Sequence, residues 1–258
     1  MQCSYTHQQR GGRPDVAYQH PYERFSNAKV LWEAELGRSS GSHCLMLAAA
    51  CLSGALAVTP SETLHVRAPS HAPPFSEHVD SLEWGSPSLM ISKPSGRVRV
   101  WVQRWRHEVY IAALIEDTTP YWGDDFVVSL DPLGDRSAAP DQDDRQWYFR
   151  RVLDSSVVFS GRGGRWRPPR HDPRWRLGER RSGRGWAVRE FSNHSRWSIV
   201  LKLDARWFTH SGQQRPGLAF RTFDDSPLGW YTWPATPPGL GARDLERRPN
   251  LWAVVMWT

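Results

Sequence analysis

The chain has 258 residues, 39% hydrophobic and 23% charged, so it carries enough apolar material for a core and lacks the composition of a disordered protein. Its formal net charge is +6, and Lys29, Lys93 and Lys202 are the only lysines among its 33 basic residues. No apolar run reaches the roughly 18–20 residues that a membrane-spanning helix needs. The three cysteines, Cys3, Cys44 and Cys51, all precede Leu52, which excludes a disulfide framework or a thiolate metal site in the remainder.

Residues 1–43 read as a polar tail in which Arg10, Arg13, Arg24 and Arg38 mix with Glu23, Glu33 and Glu35 without a clean apolar period. The tail is read either as disordered or as lying upstream of a true start near Val30. Its Gly37-Arg-Ser39-Ser-Gly41 matches G-x-S-x-G only formally, because a nucleophile elbow needs a strand before it and a helix after it. Residues 44–57 form an apolar stretch of signal-peptide length ending in Ala55-Leu-Ala57, small residues that suit cleavage after Ala57. The competing reading is a short buried helix. Residues 58–74, rich in Pro, His and Ser, read as a linker.

From residue 75 the pattern changes to strands. Val98, Val100 and Val102 alternate with Arg97, Arg99 and Trp101; Val109, Ile111, Ala113 and Ile115 alternate with Glu108 and Tyr110; Trp197, Ile199, Leu201 and Leu203 alternate with Ser198 and Lys202. A period of two marks sheets with one face on a core. Shorter runs follow the same reading: Phe126–Leu130, Trp147–Leu153, Ser156–Ser160, Trp186–Glu190, Leu218–Thr222, Trp230–Trp233 and Asn250–Met256. Only Asp204–Phe208 suggests a helical turn. Many short strands between Gly/Pro/Asp turns predict an all-β, antiparallel β-sandwich of jelly-roll or immunoglobulin type, with long loops and at most one or two short helices.

Several segments, in order, resemble family 9 carbohydrate-binding modules and their relatives in the DOMON-like superfamily. Val79-Asp80-Ser-Leu-Glu-Trp84 stands for the opening "I-D-G-x-x-x-x-W", and Val98–Val102 with Val109–Ala113 for the next strand pair. Asp117-Thr-Thr-Pro120 stands for "D-x-t-P", Tyr121-Trp-Gly-Asp124 through Asp131 for "W-x-x-D-x-v-e-i-f-i-D", and Pro249–Ala253 for the closing strand. The resemblance covers 75–258. It implies a non-catalytic, usually secreted β-sandwich, often binding calcium, that clamps a sugar between two tryptophans. Tyr121 or Trp122 corresponds to the first of these, and Pro234–Pro249 holds no aromatic for the second. Val127 stands where the family has a glutamate, and Tyr148 where it has an arginine, with Arg150 two residues on and so on the same strand face.

Sugar recognition needs flat aromatic faces beside planar polar groups. The candidate ligand-binding residues are therefore Tyr121, Trp122, Tyr148, Arg150, Trp230 and Trp233, with Trp147, Trp166, Trp175, Tyr231, Arg151, Asp124, Gln146 and Asp225 as further candidates. Trp84, Trp101, Trp197 and Trp252 read as core. The loop carrying Asp131, Asp135, Asp141, Asp143 and Asp144 has the oxygen-rich chemistry that Ca²⁺ takes, although an acidic loop is also what solvent accepts. From Arg162 to Arg189 ten arginines face two acids, interleaved with Trp166, Trp175 and Trp186. That composition suits a solvated loop or an acidic glycan, and for an exported protein not a nucleic acid.

No metalloprotease spacing and no recognisable glycosidase pair is present, so no catalytic residue is assigned. Haem ligation by a methionine, Met90 or Met256, with a histidine or Lys202 is a minor alternative that the DOMON-like resemblance brings. The expectation is a secreted, periplasmic or envelope-associated monomer that binds a polysaccharide or other glycan, including an acidic one, without catalysis. The first alternative keeps the fold but has lost the sugar site and serves as an envelope interaction or structural module. A glycoside hydrolase ranks below both.

Overall fold

The computed structural model describes residues 62–117, 124–151, 155–167, 182–183, 185–193, 195–208, 215–225 and 228–258. All belong to one unit, Leu56–Thr258. The tail, the apolar stretch 44–57, Tyr121, Trp122 and Trp175 lie outside the described residues.

Two sheets make up the fold. The larger runs β1 (Thr63–Val66), β14 (Ala253–Trp257), β12 (Gly217–Asp225), β5 (Asp125–Asp131), β6 (Arg145–Arg150), β7 (Ser155–Arg162) and β8 (Arg165–Arg167), with β13 (Leu228–Trp233) also paired to β12. The smaller runs β2 (Leu89–Lys93), β3 (Gly96–Trp105), β4 (Glu108–Glu116), β11 (Arg196–Asp204), β10 (Trp186–Ser192) and β9 (Ser182–Gly183). β1 pairs in parallel with β14, and the other pairings are antiparallel. This is the all-β sandwich that the alternation predicts. Part of the stretch read as linker forms β1, whose pairing with β14 completes an edge of the larger sheet.

The core between the sheets takes the inward positions of both: Val98, Val100, Ile111, Ile199 and Leu201 from one, Phe126, Val128, Trp147, Phe149 and Phe220 from the other. Simple alternation would leave the outer faces wet, yet all seven residues of β5 are buried. Each outer face carries its own apolar cover. On the smaller sheet, Asp80 caps the short helix α1 (Ser81–Trp84), accepting from the backbone N–H groups of Leu82 (2.8 Å) and Glu83 (2.9 Å). The cap brings Trp84 onto the outward residues Trp101, Tyr110, Ala112, Leu114 and Val200. On the larger sheet, α2 (Ala242–Arg247) and a 3₁₀ turn (Pro249–Leu251) place Leu245, Leu251 and Trp252 over Ala219. The expected core tryptophans Trp84, Trp101, Trp197 and Trp252 are all buried.

Two buried ion clusters tie the sheets together. Lys93 of β2 lies 2.5 Å from Asp117 and 3.9 Å from Asp224 of β12, and all three side chains are shut off from solvent. Arg151 reaches Asp124 at 3.2 Å and donates to the Asn193 carbonyl beyond β10 at 2.7 Å. The chain thus enters and leaves residues 118–123 at two buried, ion-paired aspartates.

Candidate functional site

The cover over the larger sheet is partial. Beyond Ala219, the outward positions of β13, β12, β5, β6 and β7 line up in rows set by the register. One row reads Thr232, Arg221, Val127, Tyr148 and Val157. The next pairs Trp230 with Phe223 and Asp125 with Arg150, Phe223 standing one step past the Thr222–Phe126 pair. At about 4.8 Å per strand, Trp230 and Arg150 are ~14 Å apart along the sheet, room for two to three sugar rings.

Polar contacts hold this face rigid. Arg150 grips Asp125 with both arms of its fork, Nε to Oδ1 at 2.8 Å and Nη2 to Oδ2 at 3.1 Å, while the Tyr148 hydroxyl donates to the same carboxylate. Burial pushes the Asp125 carboxyl up, against the pull of Arg150 and Tyr148. Burial and the Asp125 charge push the Tyr148 phenol up, so it stays a donor. Burial works against the Arg150 charge, but Asp125 holds the guanidinium above its usual value. Arg221 gives Nη1 to Glu246 of α2 at 2.9 Å and lies over the Trp230 ring at 4.6 Å. Its Nε is buried and has no hydrogen-bond partner. Phe223 meets Trp230 at 5.3 Å, and Phe159 meets Tyr148 at 6.4 Å.

Of the sequence-predicted ligand residues, the structure brings Tyr148, Arg150 and Trp230 to one face. Trp233 lies on the opposite side of β13, with its ring 5.9 Å from Phe220 in the core. Among the further candidates, Trp147 is core, Tyr231 packs against the core, and Trp166 stacks on Trp252 at 6.2 Å. Arg151 and Asp124 pair with each other at the edge of the larger sheet, and Arg151 crosses to Ser192 and Asn193 of the smaller. Gln146 donates to the Ser129 hydroxyl at 3.2 Å, and the Asp225 side chain lies outside the described residues. Sequence reasoning missed Asp125, Arg221, Phe223 and Glu246. The first three carry a period-two signal, since Asp125 and Val127, and Arg221 and Phe223, share strand faces; Glu246 sits on a helix that the sequence did not reveal.

A second constellation lies at the far end of β5. Carboxylate oxygens of Asp131, Asp143 and Asp144 fall within 4.8 Å of one another, as do those of Asp135, Asp141 and Asp143. The loop is folded tightly. The backbone N–H groups of Gly134 and Arg136 donate to Asp131 at 2.6 and 3.0 Å, and that of Asp141 to Asp144 at 2.9 Å. A Cβ on Gly161 would stand 2.1 Å from the Asp141 carbonyl oxygen, so β7 abuts the loop only because residue 161 is glycine. Burial and then the neighbouring aspartates push Asp143 up to about 7. Burial, with Asp131, Asp141 and Asp143 adding to it, pushes Asp144 up to about 8 despite the Asp141 N–H. Asp144 is fully buried, and its Oδ1 has no hydrogen-bond partner. An oxygen-only donor set with an orphaned buried oxygen fits a hard divalent cation. Of the minor haem candidates, Lys202 is ion-paired with Glu108 at 2.8 Å.

No protein-family model matches the chain, and no curated protein matches it. Among solved structures, a family 9 carbohydrate-binding module from Caldicellulosiruptor kristjanssonii in complex with cellotriose is similar over 76% of this chain and 94% of that chain, at 14% identity and a TM-score of 0.51. A structure described as a family 9 module from the same organism in complex with glucose matches over 75% and 95%, at 13% identity and a TM-score of 0.45. The first likeness shows a shared fold, the sandwich that the ordered motifs imply.

Proposed function

We propose that this chain is a non-catalytic glycan-binding β-sandwich that takes its sugar on the outer face of the larger sheet. The observation that carries the reading is that the half-buried Trp230, Phe223, Tyr148 and Arg150 stand on one face, aromatic rings beside a planar guanidinium, and are held in place by the buried Arg221 and Asp125. Such preorganisation lowers the entropy lost on binding. Tyr121 and Trp122, which the motif order assigns to the same role, complete the proposed set. The fold neighbour in complex with cellotriose makes a β-glucan fragment the first probe.

The carboxylates on this face suit binding better than acid–base work. Asp125 is engaged by Arg150 and Tyr148, and Glu246 by Arg221, so neither stands ready as a general acid. The proposed setting is extracytoplasmic, with the apolar stretch 44–57 as signal and the protein monomeric. Kinship with the wider DOMON-like superfamily is part of the same proposal. The test is calorimetric titration of the full chain with cellotriose and with neutral and acidic oligosaccharide panels. Saturable binding that Trp230→Ala removes supports the reading. A flat response from folded protein supports the alternative, an envelope interaction or structural module on the same fold.

A calcium ion in the acidic loop is a second proposal, resting on the orphaned Asp144 Oδ1. Asp131, Asp143 and Asp144 would hold it, with Asp135 and Asp141 beside them. Bound there, the ion would supply charge neutralisation and rigidity to the β5–β6 connection, about 20 Å from the sugar face along β5.

A further inference from the structure

At the acidic-loop end of the sandwich a cleft of about 750 Å³ opens between the β5–β6 loop, Gly185 and the 3₁₀ turn Ala205–Phe208. The six steps of β5 from Asp125 to Asp131 separate it from the sheet face by ~20 Å. Its volume lies in the range of small-ligand sites. Its walls combine an apolar side, Pro132 and Leu133, with the Trp207 ring and with Gln142, Arg145 and Arg206, and one carboxylate, Asp143, stands among them on the acidic-loop side. Trp207 is fixed in place: its indole N–H donates to the Gly185 carbonyl at 3.1 Å, and its ring meets the core residue Trp147 edge-on at 5.8 Å. Gly185 has φ +77°, and a Cβ there would stand 2.8 Å from the Trp207 Nε1, so the glycine is what lets the indole seat. Arg145 lies over the Trp207 ring at 5.4 Å and spends Nη1 on the carbonyls of Gln142 and Asp144. Arg206, 65% exposed, gives Nε and Nη2 to Asp204. Among the described contacts, Nε and Nη2 of Arg145 and Nη1 of Arg206 remain as donors.

The geometry points to a second saccharide site in this cleft, selective for a sugar bearing a carboxylate, a hexuronate unit of an acidic oligosaccharide. The pyranose would lie against Trp207 and the Pro132–Leu133 wall, and its carboxylate would meet the two guanidinium groups, whose planar fork matches a carboxylate. The site shares no residue with the sheet face and one, Asp143, with the acidic loop, so the sugar carboxylate would sit on the arginine side of the cleft. A chain with both sites would hold a mixed polymer, or two polymers, at opposite ends of β5.

The experiment titrates the full chain with trigalacturonate and separately with cellotriose, for the unaltered protein and for Arg206→Gln. Arg206 is mostly exposed, so the substitution leaves the fold intact, checked by an unchanged melting temperature. The expected result is saturable trigalacturonate binding that Arg206→Gln weakens at least tenfold, while the cellotriose response does not move. Absence of trigalacturonate binding, equal affinity in the variant, or displacement of trigalacturonate by cellotriose would each overturn the second site. Loss of cellotriose binding alone would sink the sheet-face reading and leave this one standing.

Discussion

The acidic loop makes stability depend on pH in an unusual direction. Asp144 is fully buried and holds its proton to about pH 8, whereas an unfolded chain releases it near pH 4. Between those values the native state binds one proton more than the unfolded state. This contribution is therefore complete below about pH 4 and is lost as pH rises through about 8. The slope is about 1.4 kcal/mol per pH unit for one such group, so raising the pH from 5 to 8 costs about 3–4 kcal/mol. For a domain of this size that is roughly 10 °C in melting temperature. Asp204 and Glu108 are shifted down, and their stabilisation is lost only as pH falls toward and below about 4, outside this window. The assay is thermal unfolding at pH 5, 6, 7 and 8, in EDTA and in millimolar calcium. In EDTA the melting temperature falls with pH; Asp144→Asn reduces the slope, and Asp143, pushed up to about 7, accounts for what remains. Calcium bound at the proposed site would take over the proton's role, so the loss is expected to disappear in millimolar calcium. A melting temperature in EDTA that is flat or rises from pH 5 to 8 would refute the reasoning.

Three other perturbations test other parts of the structure. Trp230→Ala should lower affinity for the sheet-face ligand by about tenfold or more, the worth of one stacked ring, with little change in the urea midpoint; an unchanged titration would remove Trp230 from the site. Lys93→Met takes the cation away from Asp117 and Asp224 inside the sandwich, and breaking a buried ion cluster from one side costs about 3–5 kcal/mol in urea unfolding. A loss under about 1 kcal/mol would mean that the cluster does not tie the sheets. Gly161→Ala forces a methyl into the Asp141 backbone, so β7 or the acidic loop must shift; reduced calcium-induced stabilisation, read by the same thermal assay, is the expected outcome.

The two ends of β5 divide the chemistry of the domain. At one, Asp125 is neutralised by Arg150, which leaves a rigid face of hydrogen-bonding groups with little net charge. At the other, aspartates crowd together and leave an oxygen without a partner. The same seven-residue strand serves both because its buried inward side chains fix the register, and the register puts Asp125 and Asp131 on the same outward face at opposite ends.

What could be read from the residues alone follows from periodicity and local backbone chemistry. The alternation of Val98, Val100 and Val102, and of Ile199, Leu201 and Leu203, determined strands with an inner face. The order of short motifs pointed to the sandwich, and the spacing of Tyr148 and Arg150 placed both on one side of a strand. The crowding of five aspartates between Asp131 and Asp144 was likewise visible as composition. Period-two reasoning could not say which outer faces receive a cover, because that depends on distant segments. Val127 and Val200 are buried outward residues, and only the folded chain shows Trp84 arriving over the smaller sheet and α2 over part of the larger. Nor could it choose between the two sides of β13, where Trp230 joins the polar face and Trp233 the core. The pairing of Arg150 with Asp125, of Arg221 with Glu246, and of Lys93 with Asp224 joins residues 25, 25 and 131 positions apart. Local sequence fixes backbone and facing; partners so far apart are chosen only when two sheets pack and their strands take a register.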